Sequence, residues 1–206
     1  MLTHAIAPAP SSDWQNVFEK NVSKRNTDGT PSKGSIVVHF GINADIRTLT
    51  EGNLHVNLFN ATNEEGMTMY KVKQPKDMYE ILQPGLIIAL KKGKSLFAWA
   101  EITSSYYYLP EPKWAHRWDY KILRMANKDE STRHEGWMKT FHMNTIEIPQ
   151  DVLKIQAQNM LFQKIIEKRE EKTLLYNKMQ VATDAFQEAE AELSSLERTF
   201  ELSGVI

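Results

Sequence analysis

The side chains best suited to recognition chemistry gather between Gly85 and Leu123. This stretch holds three of the five tryptophans and four of the seven tyrosines. Trp99 and Glu101 are two residues apart, so a strand places both on one face, together with Phe97. A ring beside a carboxylate suits a flat polar heterocycle, because the ring stacks on it and the acid accepts its hydrogen bonds. The pattern therefore indicates a site for a nucleobase.

A second aromatic group follows the first within the same stretch. Tyr106 opens a run of three tyrosines, and Trp114 and Trp118 are four residues apart, so they share a face if that segment is helical. His116 and Arg117 lie between the two tryptophans and can contact a phosphate or a base edge. The alternative, that the tryptophans are ordinary core residues, stays open.

Catalytic and metal-binding motifs are absent from the sequence. It contains no phosphate-binding glycine loop, nucleophile elbow or paired-histidine zinc motif. His134 and His142 are eight residues apart without an obvious third ligand, and there is no cysteine. We therefore predict no enzyme activity, no metal and no cofactor. The lack of disulfides also suits an intracellular protein.

Charge is distributed unevenly along the chain. Residues 85–128 carry eight Lys or Arg against three acids, whereas residues 179–206 carry one Arg against six acids. A basic surface beside aromatic rings is typical of proteins that bind nucleic acid. The candidates for phosphate contact are Lys91, Lys92, Lys94 and Lys113. The alternative is that these lysines are solvated hairpin tips.

Composition describes a globular protein: 206 residues, 41% hydrophobic and 10% aromatic. No apolar run approaches the roughly 18 residues of a membrane span, and the first residues lack the pattern of a secretory signal. Residues 1–34 are expected to form a flexible arm with one short helix. Within it, Trp14, Val17 and Phe18 share a helical face.

Residues 35–150 are expected to form the main domain. Strands are predicted at Ser35–Phe40, Leu86–Leu90, Ser95–Thr103 and Asp119–Met125, because these runs are rich in β-branched and aromatic residues. The basic turn Lys91–Lys94 joins the second and third of them. Short helices are expected at 43–52 and 75–84, and further strands at 53–59 and 69–72.

Residues 151–206 are expected to form one long helical region. No proline or glycine occurs between Gln150 and Ser203, and apolar residues follow heptad spacing from Leu161 to Phe200. Such a helix is too long to bury its stripe on a domain of about 115 residues. We therefore predict either a homodimer through the 161–200 heptads or a hairpin that bends near 168–174, where Lys168 and Lys172 interrupt the seam.

The order of elements in residues 35–150 resembles the PUA-like superfamily, in particular YTH and EVE domains. The resemblance is carried by Phe40–Asn43 followed by a helix containing Asp45, and by the proline-flanked strand Leu86–Leu90. The strand that ends in Ala100-Glu101-Ile102 and the His116-Arg117 segment before the next strand complete it. It implies a PUA-like mixed β-barrel with small helices. Together with the long C-terminal coiled-coil helix expected from the heptads, this makes the predicted fold class α+β.

The resemblance also implies a reader of nucleic acid rather than a catalyst. Proteins of this kind hold a base, often a modified one, in an aromatic pocket. The implied floor is Phe40, Asn43 and Asp45, and the implied walls are Trp99 and the aromatic residues of 106–118. The tryptophan that the family carries shortly after its first helix is absent, since residues 53–59 read NLHVNLF.

Two functions from different classes follow from these observations. The first is a non-enzymatic module that binds DNA or RNA through a base pocket and is oligomerised by its coiled coil. The second is a structural or adaptor protein, for instance viral or phage-borne, whose barrel and coiled coil mediate protein–protein assembly. In the second case the tryptophans are core, and their removal unfolds the domain.

Overall fold

A computed structural model of the chain describes residues 1–9, 14–38, 45–48, 77–110, 115–131, 133–134 and 141–204. Several predictions lie outside these ranges: most of the helix at 43–52 and the strands at 53–59 and 69–72. The site residues Phe40, Asn43, Lys113 and Trp114 also lie outside them.

The described residues form an α+β fold built on one mixed sheet of eight strands. The strands are β1 (Leu2–Ile6), β2 (Val22–Arg25), β3 (Pro31–Val38), β4 (Ile87–Lys92), β5 (Ser95–Ile102), β6 (Tyr107–Tyr108), β7 (His116–Met125) and β8 (Phe141–Glu147). Their order is β2-β3-β7-β5-β4-β1-β8, and β6 pairs with β7 off this path. Within the described residues β2 and β8 are separate edges, so the sheet is open and does not close into the predicted barrel.

The first residues of the chain are part of the sheet. Strand β1 runs parallel to β4 and antiparallel to β8, with His4 opposite Ile88 and Ile6 opposite Phe141. All its residues after Leu2 are buried. The predicted flexible arm is therefore wrong for this segment, since the alternation of alanines and prolines concealed a buried strand. Helix α1 (Trp14–Asn21) follows and buries Trp14, Val17 and Phe18 as predicted.

Strands β4 and β5 form the predicted hairpin around the basic turn. Lys92 pairs with Ser95, so Gly93 and Lys94 make a two-residue loop. Gly93 has φ of +60°, a conformation that glycine adopts without steric cost. A bulge lies between Leu90 and Lys91 in the pairing with β5, and it places Phe97 against the same core as Ala98. Phe97 and Trp99 therefore lie on opposite faces of the sheet, whereas strand alternation predicted that they share one face.

The sheet buries a separate core on each face. The larger core, on what we call the α1 face, joins α1 to residues of β3, β4, β5 and β7 such as Ile36, Ile88, Ala100 and Trp118. Residues 77–81 are helical, and Met78 and nearby Leu82 add to this core. The opposite side, which we call the α2 face, packs Ala89 and Trp99 against Ile148 and Val152.

Helix α2 (Gln150–Leu202) is continuous over 53 residues, so the predicted long helix is confirmed, and the alternative of a hairpin that bends at 168–174 is not what the structure shows. Its first turn is joined to β7 through Arg124. The guanidinium of Arg124 donates to both carboxylate oxygens of Glu130 at 2.7 Å, and its Nε lies 2.8 Å from Asp151. The chain divides into two compact units, Met1–Gln156 and Ala157–Ile206.

Candidate functional site

The structure divides the predicted site residues between the two faces of the sheet. Cross-strand partners lie on the same face, and neighbouring residues of a strand lie on opposite faces. Glu101 and Arg117 therefore share the α2 face with Trp99. His116 and Trp118 lie on the α1 face with Tyr106. The seven predicted base-binding residues that the structure describes therefore do not gather in one pocket.

Both described tryptophans of the predicted pocket are buried in the cores. Trp99 is 1% exposed and packs in the core beneath the start of α2, and Trp118 is 0% exposed on the α1 face. The segment that contains Trp118 is a strand rather than a helix. A base that stacks on either ring would have to displace core side chains.

Tyr106 is the centre of an aromatic cluster on the α1 face. Its hydroxyl accepts a hydrogen bond from the backbone N–H of Ile46 at 3.2 Å and lies 2.8 Å from Nδ1 of His116. The ring of Trp118 is 5.1 Å from that of Tyr106, and the ring of Tyr79 meets it edge-on at 5.5 Å. Burial raises the pKa of Tyr106, which favours the neutral phenol beside Nδ1 of His116.

The solvent side of this cluster is an ion pair between Asp45 and Arg47. The Nε of Arg47 lies 3.0–3.1 Å from both carboxylate oxygens, and its Cζ lies 5.6 Å from the centre of the Tyr106 ring. Burial acts to raise the pKa of Asp45, but the hydrogen bonds from Arg47 outweigh it and the pKa lies below its usual value. The cluster thus brings together four predicted residues: Asp45, Tyr106, His116 and Trp118.

The predicted phosphate contacts have different environments. Lys91 is only 3% exposed, and its ammonium donates to the carbonyl of Gly93 at 3.0 Å. The ammonium of Lys92 lies 5.6 Å from the ring centre of Trp14, within the range of a cation–π contact. Lys94 is half-buried in the turn. Of these three, only Lys92 is exposed.

A second basic feature crosses β2, β3 and β7. Lys24 is the cross-strand partner of Lys33, and Lys33 is the partner of Lys121. Neighbouring strands are about 4.8 Å apart, so the three backbones lie within roughly 10 Å. We call Lys24, Lys33 and Lys121 the basic row. Lys121 has an acidic neighbour, since its Nζ lies 3.7 Å from Glu101.

Lys24 and Lys33 are exposed, and no acid among the described residues pairs with them. Like charges directly opposite on neighbouring strands destabilise a sheet. An anion bound across the row would remove that repulsion. The row is therefore an arrangement suited to phosphate groups.

A tyrosine is hydrogen-bonded on the same part of the sheet. Tyr107 pairs with Arg117 across β6 and β7 and donates a hydrogen bond to Asp119 at 2.8 Å. Ser35 donates to the same carboxylate oxygen at 2.5 Å. Burial and the neighbouring carboxylate raise the pKa of Tyr107. Asp119 is two residues from Lys121 on β7, so the half-buried Tyr107 is held one same-face position away from the basic row.

Sequence reasoning missed the basic row because it treated residues 1–34, apart from one short helix, as a flexible arm. Residues 23–34 instead form most of the β2–β3 hairpin, whose turn contains Asp28 and Gly29 with φ of +81° at the glycine. An Asp-Gly pair between two short runs is a hairpin signal. This signal would have predicted that Lys24 and Lys33 lie on paired strands. The pairing of Lys33 with Lys121 could not be predicted in the same way, because it depends on the order of the strands in the sheet.

The fold and the site define a class: an open, mixed-sheet α+β protein with a basic strand surface and a long helix. Comparisons with protein-family models, with curated proteins and with solved structures found no match to this chain. In the described ranges no helix is both long and apolar enough to cross a membrane. Nor do three acidic or histidine side chains gather there as metal ligands would.

Proposed function

We propose that this protein is a non-enzymatic nucleic-acid-binding module, oligomerised through α2. The observation that carries the proposal is the basic row, in which three lysines occupy consecutive partner positions on three adjacent strands. Lysines that neutralise phosphates release counterions, which favours binding at low and physiological salt. The row lies on paired strands, so the pairing sets the spacing of the three lysine backbones.

Tyr107 is the proposed stacking surface for a base. Its ring is half-buried and its hydroxyl is held by Asp119, so it loses little freedom when a base stacks on it. Stacking on an aromatic side chain contributes about 1–3 kcal/mol per base. This choice replaces Trp99, whose ring is enclosed in the core. The Tyr106 cluster has Arg47 at its solvent side. It is the candidate pocket for a single base, modified or unmodified, that does not stack on Tyr107.

A PUA-like relationship remains part of this proposal. It is supported by the β4–β5 hairpin with its basic turn and by β7 following the aromatic run, as the resemblance implies. The proposed partners are DNA or RNA and a second copy of the chain through the 161–200 heptads. The absence of cysteine supports an intracellular location.

The proposal is tested by fluorescence anisotropy with labelled single-stranded DNA, single-stranded RNA and duplex DNA at low salt. The double variant Lys24→Gln/Lys33→Gln is expected to weaken binding at least tenfold, because two phosphate contacts are lost. The matched control is Lys20→Gln, which removes an exposed lysine from α1. Absence of binding to all three probes, or equal loss in the control, would overturn the proposal.

The adaptor function is the second candidate, and two observations favour it. Trp99 and Trp118 are core residues, as that alternative requires, and α2 exposes a long apolar seam suited to protein contacts. Wild-type protein that forms dimers but binds none of the three nucleic-acid probes would support the adaptor and reject the nucleic-acid module.

A further inference from the structure

Helix α2 exposes an apolar seam along the unit that begins at Ala157. The large apolar residues at its heptad positions are 41–63% exposed: Leu161, Ile165, Leu175, Met179, Phe186, Leu193, Leu196 and Phe200. The helix is continuous, so it does not fold back to cover the seam itself. This inference rests on the coiled-coil part of the proposed function and concerns the orientation of the pair.

A parallel, in-register pair is opposed by the charges at the seam. It would place Lys168 against Lys168 and Lys172 against Lys172 of the second copy, inside the apolar interface. At the edges it would bring Lys164 near Arg169 and Glu192 near Glu197, since parallel helices pair residues five apart at these flanking positions. Every one of these contacts joins like charges.

Reversing one helix removes these conflicts. The spacing of the seam is symmetric about residues 180–181, so in the reversed pair every seam residue meets another seam residue. The six layers are 161 with 200, 165 with 196, 168 with 193, 172 with 189, 175 with 186, and 179 with 182. Lys168 then lies opposite Leu193, and Lys172 lies opposite Ala189.

The lysines also gain acidic neighbours in the reversed pair. Their aliphatic stems can pack along the seam while the ammonium groups reach its edge. There Lys168 is level with Glu192 of the second copy and Lys172 is level with Glu190. One like-charged pair remains, Glu171 with Glu192, and Lys168 lies beside it.

The overall charge pattern agrees with this orientation. Residues 164–178 carry five Lys or Arg and three Glu, a net charge of +2, whereas residues 183–197 carry five acids and no base. These two segments face each other in the reversed pair, and each faces its own copy in the parallel pair. We propose that α2 binds α2 of a second copy in antiparallel orientation, with Leu161 of one chain against Phe200 of the other.

The orientation of the two helices sets the distance between Leu161 of one copy and Leu161 of the other. Leu161 of one chain is level with residue 200 of the other, so the two Leu161 residues are about 60 Å apart at 1.5 Å per residue. A parallel pair would place them side by side. The antiparallel dimer therefore joins its two nucleic-acid modules through helix positions about 60 Å apart, which suits binding to two segments of one polymer.

The chain has no cysteine, so single-cysteine variants test the orientation directly. We expect Leu161→Cys mixed with Phe200→Cys to form a disulfide-linked dimer on mild oxidation after subunit exchange, and Leu175→Cys mixed with Phe186→Cys to do the same. Each of the four variants alone should remain uncrosslinked. Glu170→Cys, on the opposite side of the helix, is the control. Crosslinking of each variant with itself would show a parallel pair and overturn the inference.

A charge exchange gives an independent readout by sedimentation or light scattering. Glu190→Lys should weaken the dimer several-fold, because residue 190 of one copy lies beside Lys172 of the other, and adding Lys172→Glu should restore it. In a parallel pair residue 190 flanks Ala185, so Glu190→Lys would leave the dimer unchanged, and that result overturns the inference. Wild-type protein that stays monomeric at about 100 μM overturns the coiled coil itself and leaves nucleic-acid binding to be judged separately.

Discussion

At the scale of single residues, Lys91 shows how strongly the fold constrains a charged group. It lies near the end of β4 with only 3% of its surface exposed, and the carbonyl of Gly93 is its hydrogen-bond partner. Burial lowers the pKa of Lys91 from its ordinary value of 10.5 to about 8. The sequence pattern grouped Lys91 with exposed lysines of the turn, because alternation alone does not show that the strand end is covered.

The lowered pKa of Lys91 predicts a pH dependence of stability. Between pH 8 and 10.5 the unfolded chain holds more protons at this site than the folded chain, so the free energy of unfolding rises with pH in this window. The expected gain is about 1–3 kcal/mol. Urea denaturation of wild type and Lys91→Met at pH 7.5 and pH 10 checks this, since other titrations cancel between the two proteins. Lys91→Met should be the more stable at pH 7.5, and its advantage should shrink by pH 10. A pH-independent difference would contradict the assignment.

Trp99 permits a direct test of core against pocket. Its burial beneath Val152 and Ile148 predicts that Trp99→Ala costs about 3–5 kcal/mol of unfolding free energy, because a large cavity forms in the smaller core. Chemical denaturation measures this cost. Met143→Ala, at a 44% exposed position of β8, should change stability by less than about 1 kcal/mol. A stable Trp99→Ala variant with lost nucleic-acid binding would instead support an open aromatic pocket.

At the scale of elements, the predictions succeeded where periodicity was strong and local. The helical face of Trp14 and Phe18, the β4–β5 hairpin and the continuous α2 were all predicted from spacing. The bulge that redirects Phe97 was not, because it arises from pairing with a neighbouring strand. The basic row was likewise beyond local reasoning, since Lys33 meets Lys121 across 88 residues of chain.

Strand β1 is the element that the sequence pattern predicted least well. It lies between β4 and β8, so its removal would take away the described partner of β8 and leave β4 paired with β5 alone. We expect Ile6→Ser, at a 0% exposed position, to destabilise the sheet by about 3–5 kcal/mol. Leu2→Ser, at a 59% exposed position of the same strand, should cost less than about 0.5 kcal/mol. If thermal melts show equal destabilisation by Ile6→Ser and Leu2→Ser, residues 2–6 are a peripheral arm rather than a strand of the sheet.

At the scale of the whole molecule, the two compact units have separate proposed roles. The unit Met1–Gln156 contains the basic row and both cores, and the unit Ala157–Ile206 exposes the apolar seam. Binding one polymer at two modules raises the effective concentration of the second contact, so each basic row can be weak alone. Disrupting the seam should therefore weaken binding to long nucleic acid more than binding to short oligonucleotides.

The salt dependence of nucleic-acid affinity tests the central claim most directly. The dissociation constant for a short single-stranded oligonucleotide is measured over a range of salt for wild type, Lys24→Gln/Lys33→Gln and Lys20→Gln. Each lost phosphate contact lowers the slope of log affinity against log salt by about 0.7 for single strands. We expect the double variant to lose about 1.4 in slope while the control keeps the wild-type value. An unchanged slope and affinity in the double variant would contradict the assignment of the basic row as the nucleic-acid surface.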